Sequence, residues 1–210
     1  WPSWRINSVT RLSSVPWPTI GPNAPGPSAS RVEGLTVDTS SVVRWIKAAL
    51  VGFVGAYATL VTFGNLTDPM TNYVFVEHVL RMDTTFQGEA LMWRSMETGW
   101  LHQVAFGLIV LTEAAVAFFS VWGAFRLFLA RHATAALFHA AKAPALVGLF
   151  LCLALFFFGF QVVGGEWFAS WQSVEWNGLS SASRTVTFVL GTLIFVSLQN
   201  DGEGTVDSTG

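Results

Sequence analysis

Four long apolar runs alternate with polar segments along this chain, and that alternation sets the expected architecture. The runs cover 45–63, 99–125, 143–163 and 179–198, each near or above the roughly 20 residues that a helix needs to cross about 30 Å of hydrocarbon. The second is long enough to tilt or to project past the core. Pro144 opens the third, where its missing N–H costs nothing in a first helical turn. The fourth carries Arg184 near one end, where a long side chain can snorkel to the headgroups. The pattern predicts an all-α membrane protein with four transmembrane helices.

The polar segments are patterned too. Asp68-Pro69 is a helix start, with Asp as N-cap and Pro at the first position, and Phe75, Val79 and Met82 follow at helical spacing. A short interfacial helix over 68–82 is expected, with Glu77, His78 and Arg81 on its wetter face. In the other long loop, Gly164-Gly165 can end helix three by adopting positive φ. Trp167, Trp171 and Val174 at i, i+4, i+7 then predict a second interfacial helix over 166–176. The connection 126–142 between helices two and three is expected to prolong them or to lie along the membrane surface.

Composition agrees with this class: 52% of residues are hydrophobic and only 11% charged, far below the globular norm of about 25%. With a net charge of −2 and no basic face, nucleic acid is not an expected partner. The lone Cys152 lies in an apolar run, which excludes an intrachain disulfide and a Cys-based zinc site and leaves packing as its role. Eight of the eleven Lys and Arg residues, including Arg44, Lys47, Arg126, Arg131 and Lys142, fall on the side of the two termini. The positive-inside rule then directs both termini to the matrix or cytoplasm.

Residues 1–42 hold six of the eight prolines among Ser, Thr and Gly, and read as an extended tail. Arg5, Arg11 and Arg31 occur without an acid in the first 32 residues, and the chain starts at Trp1. Such a start resembles the remainder of a cut organelle transit peptide. Residues 201–210 form an acidic C-terminal tail that reads as disordered.

Four uncommon words occur in order: Asn-Leu-Thr-Asp-Pro at 65–69, Phe-Val-Glu-His-Val-Leu-Arg-Met-Asp-Thr-Thr-Phe at 75–86, Val-Gly-Gly-Glu-Trp-Phe at 163–168, and Trp-Gln-Ser-Val-Glu-Trp-Asn-Gly at 171–178. Over about 45–201 the chain resembles the predicted small integral membrane proteins catalogued as domain of unknown function 2165. The resemblance implies four spans and transfers no catalytic or ligand residue. The Pro-rich extension departs from the small bacterial members and favours an organellar setting.

Several polar and aromatic residues are candidates for chemistry. Glu113, near the middle of helix two, costs at least about 2.5 kcal/mol if ionised there. It is expected either as a neutral carboxyl bonded to Thr59, to Thr62 or to a partner subunit, or as the centre of a proton or ion path. His78 and His102 are a candidate haem pair near the loop side, and His132 and His139 pose the same question on one helical face of the opposite side. Trp93, Trp100, Trp167, Trp171 and Trp176 make a dense interfacial belt. With Glu166 and Gln172, the last three offer a cradle for a quinone head or lipid headgroup. No phosphate loop, HExxH pattern or nucleophile with its base is recognisable.

No catalytic residue or metal ligand is therefore assigned, and bound phospholipid is the expected non-protein component. The reading favoured is an accessory subunit of a larger inner-membrane assembly, specifically a mitochondrial respiratory-chain complex, with other membrane subunits and lipids as partners. The alternatives are a small proton or ion transporter component centred on Glu113, a haem- or quinone-binding anchor subunit, and a bacterial inner membrane as the setting.

Overall fold

In the computed structural model, residues 39–86, 88–199 and 201–202 are described. The expected N-terminal tail, up to residue 38, and the acidic tail beyond residue 202 lie outside them. Four helices are long and apolar enough to cross a membrane, and no strand occurs among the described residues. The first, α1 (Thr39–Thr67), takes in positions 39–42 as well as the expected span. After it come α2 (Pro69–Arg81), α3 (Glu89–Met92) and the second span, α4 (Gly99–Ala130). The third span runs from Ala135 to Trp167 in three parts. These are α5 (Ala135–Ala141), α6 (Ala143–Leu153) and a π-helical segment (Ala154–Trp167). One 3-10 turn (Ser170–Gln172) precedes the fourth span, α7 (Leu179–Ser197).

The middle of the bundle is held by close backbone approach. A Cβ on Gly123 would lie 2.5 Å from the Cα and N of Ala145, and one on Gly148 would lie 2.7 Å from the Ser120 N. Only glycine fits at these two points, so α4 and α6 touch backbone to backbone, as small residues allow where lipid supplies no hydrophobic drive between helices. A Cβ on Gly55 would stand 3.0 Å from the Val121 N, so α1 approaches the other side of α4 almost as closely. Val51, Val54, Val116, Leu149, Cys152 and Val189 fill the core around these contacts, which gives Cys152 its packing role.

The interfacial helix starts where Asp68-Pro69 predicts. Asp68 occupies the N-cap, but its carboxylate accepts from the Thr71 hydroxyl at 2.7 Å instead of from a backbone N–H. The second outer loop departs from its prediction. Neither Gly164 nor Gly165 has positive φ; the third span continues through both, and Ala169 turns the chain with φ 51°. Gly165 packs closely under Leu179, whose side-chain end would have to shift to admit a Cβ 2.9 Å away. Beyond Ala169 only the 3-10 turn forms where a helix over 166–176 is expected, since Trp167, Trp171 and Trp176 each turn to a different partner across the loops.

The π-helical segment carries no signal in the sequence. It closes on a bond from the Phe168 N to the Val163 carbonyl at 3.0 Å, five residues back. Such wide turns are rare and concentrate at functional positions. On the opposite end, the connection 126–142 prolongs the helices as expected. It breaks at 131–134, so His132 sits in the turn and His139 in α5, both exposed; the two do not share one helical face.

Candidate functional site

Three polar constellations interrupt the apolar bundle. At the end where α1 begins and α7 finishes, Lys47 and Lys142 converge on the Asp201 carboxylate and Arg44 on neighbouring backbone carbonyls. The Lys47 Nζ donates to Asp201 Oδ1 at 2.8 Å and to the Leu198 carbonyl at 2.7 Å. The Lys142 Nζ donates to the same Leu198 carbonyl at 2.7 Å and to Asp201 Oδ2. Arg44 donates to the Asp201 carbonyl at 2.7 Å and to the carbonyls of Arg131 at 3.0 Å and Ala133 at 2.5 Å. All four side chains are buried, Lys47 to 0% exposure. The carbonyls at the ends of α4 and α7 carry the negative end of each helix dipole, so they add to what Asp201 supplies. Burial pushes the Asp201 carboxyl up, but the hydrogen bonds and charges of Lys142 and Lys47 outweigh it and hold the group below its usual 3.8.

The second constellation surrounds Glu113. Its Oε2 accepts from the Asn65 Nδ2 at 2.6 Å, and the Asn65 Oδ1 accepts from the Asn72 Nδ2 at 2.6 Å. A polar chain thus runs from mid-span on α4 through the end of α1 to the interfacial helix α2. Glu113 is 5% exposed. The threonines expected as its partners are engaged elsewhere, each with the carbonyl four residues back: Thr59 with Gly55 at 2.7 Å and Thr62 with Ala58 at 2.8 Å. Asn65 lies on the buried stripe of α1 with Val51, Val54, Ala58 and Thr62. An amide on an apolar stripe is the signal that identifies it.

The third is the loop end, where the aromatic belt is locked into a platform. The Arg94 guanidinium lies 4.9 Å from the Trp167 ring centre and 5.5 Å from that of Trp93, while it donates to the Trp167 carbonyl at 3.3 Å. The two indoles meet edge to face at 5.7 Å. Trp171 meets Phe86 edge on at 6.1 Å, and the Gln172 side-chain oxygen accepts from the Phe86 N at 2.8 Å. Trp176 stacks on His78 at 4.4 Å, and the His78 Nδ1 lies 2.7 Å from Asp83 Oδ2.

These partnerships divide the predicted candidates. His78 faces Trp176 and Asp83, whereas the buried His102 places its Nε2 2.7 Å from the Met96 carbonyl, so the two rings serve different neighbours. Trp167 and Trp171 contact different rings, Trp93 and Phe86, and Glu166 is exposed. Trp93, at the end of α3, and Trp100, in the first turn of α4, stand exposed. Among the described residues, no group of three His, Cys, Asp or Glu is placed to hold a metal ion.

The comparisons with known proteins agree on class. Residues 43–199 match the family described as predicted small integral membrane protein (DUF2165). No curated protein and no solved structure matches the chain.

Proposed function

The chain belongs to the DUF2165 family of predicted small integral membrane proteins, and from that premise we propose that it is a non-catalytic accessory subunit of a larger inner-membrane assembly, specifically a mitochondrial respiratory-chain complex. The observation that supports this reading is the platform at the loop end. Interlocked side chains fix its backbone, yet Phe86, Trp93 and Trp171 remain exposed and Val174 stands 96% exposed. An ordered apolar patch outside the spans is what a docking surface requires. The distribution of Lys and Arg favours a platform on the side away from the matrix.

Purification from native membranes in mild detergent, followed by identification of the co-purifying chains, tests the reading. The protein is expected in one defined assembly that carries a respiratory activity. The substitution Val174→Asp, at a side chain 96% exposed, is expected to release it without lowering its own thermal midpoint. Recovery of the wild-type chain only as a monomer would sink the proposal.

One observation favours a second reading, a proton or ion path: the chain from Glu113 through Asn65 to Asn72 connects mid-span to the interface. Glu113→Gln separates the two. Flux through reconstituted vesicles would collapse if Glu113 carries the charge, whereas an accessory subunit keeps its assembly and stability. The first reading also has no resident haem, so the purified protein is expected to show no haem absorption band.

A further inference from the structure

Between α2, the loop-end half of α4 and the π-helical segment lies a cavity of about 280 Å³. Phe75 and Val79 of α2, Leu108 of α4, Phe158 of the π-helical segment and Leu179 of α7 form its walls, and Ser170 is the only polar side chain lining it. Water has too few partners there. Close packing leaves few openings of this size, and one with apolar walls favours an apolar occupant over water.

The position of the mouth says what can enter. Leu108 and Phe158 line the cavity and are also 58% and 61% exposed, and both lie within transmembrane spans. The open side therefore faces hydrocarbon. From Gly99, the first residue of α4, to Ile109 at the deep end is about 15 Å of helix. That is half of a core about 30 Å thick, the depth of one leaflet. The loop end is roofed by α2, whose Val76 and Leu80 are buried against Phe168 and Ala169. A transmembrane helix, about 10 Å across with its side chains, has no way past that roof. The wall itself is shaped for an occupant: Gly159 brings no side chain, and the wide π-helical turn sets Phe158 and Val163 apart from the α-helical register.

The geometry points to a binding site for a single hydrocarbon chain of a membrane amphiphile, acyl or isoprenoid, which enters laterally between Leu108 and Phe158 and ends under α2. The site is distinct from the docking platform and does not rest on the accessory-subunit reading.

The full-length protein in phosphatidylcholine nanodiscs, doped with a phosphatidylcholine that carries a mid-chain diazirine, tests it by photolysis and mapping of adducts. Adducts are expected to concentrate on the cavity walls about tenfold over Phe53 and Leu60, which are exposed on α1 and line no cavity. Added long-chain isoprenoid quinone that displaces this labelling identifies an isoprenoid site; labelling that persists identifies an acyl site. Adducts spread evenly over all lipid-facing positions would overturn the proposal. A Cβ at Gly159 meets only the Leu155 Cδ1 at 3.8 Å, an ordinary contact, so Gly159→Phe fills the cavity from one wall and Ala105→Phe from another. Each is expected to reduce wall labelling about tenfold with an unchanged or raised thermal midpoint. A folded variant that keeps full labelling would also overturn it.

Discussion

The two ends of the bundle are closed by opposite means. At the terminal end, two buried ammonium groups share one buried carboxylate, and a buried guanidinium binds backbone carbonyls beside them. At the loop end, a larger area is tied by ring contacts and single hydrogen bonds, most of them partly exposed. A buried ion cluster is all-or-none, because removal of one member strands the rest in low dielectric. A mosaic of exposed contacts degrades one piece at a time. The first arrangement suits a closure, and the second suits a surface that adapts to what it meets.

The largest expected effect follows from removing the single anion. Asp201→Asn leaves Lys47 and Lys142 without a counter-charge and should cost about 3–5 kcal/mol, read as a fall in the thermal midpoint of the purified protein. Adding Lys47→Met and Lys142→Met to that variant should restore most of the loss, because an ion cluster replaced by apolar side chains is often neutral or stabilising. If the triple variant is no better than the single one, the clamp is held by shape and not by charge. At the loop end, Trp176→Ala removes the stack on His78 and the edge contact with Phe75, for about 1 kcal/mol. Arg94→Lys keeps the charge but loses the planar contact with two indoles, for about 0.5–1 kcal/mol. A loop-end loss as large as that of Asp201→Asn would erase the contrast.

Acid gives the smallest effect over ordinary conditions. The Asp201 pKa is lower in the folded chain than its usual 3.8, so its contribution is complete above that value and is lost as pH falls through the folded pKa. Unfolding curves are expected to show no dependence on this group from neutrality down to about pH 4, and a decline below it that Asp201→Asn lacks. A decline that begins near neutral pH would belong to another group.

Much of this architecture is legible in the residue pattern because spans and helix starts are local. Hydropathy finds all four spans, although the helices run past the apolar runs by up to eight residues, and Asp68-Pro69 marks the start of α2 correctly. The charge count puts Arg44, Lys47 and Lys142 on one side, yet their meeting with Asp201 joins positions up to 157 apart and has no local trace. Glu113 is visible as a lone carboxylate in an apolar run. Its partner is not, because Thr59 and Thr62 bond backwards along their own helix and leave the role to Asn65. The π-helical segment is invisible for another reason: apolar residues on all sides satisfy a helix of either pitch. Gly164-Gly165 misleads because glycine permits positive φ without requiring it, and the turn falls at Ala169 instead.

The placement of Asp201 has a consequence for biogenesis. Helix α1 enters the bilayer early in synthesis with Lys47 on it, and Lys142 follows, but the group that neutralises both emerges only after the last span has been made. Until then the bundle holds two ammonium groups that seek water, so the first three spans cannot settle against one another at that end. A chain cut short before residue 201 would lack the carboxylate that Lys47 and Lys142 share, so closure of this end waits on a residue made after all four spans.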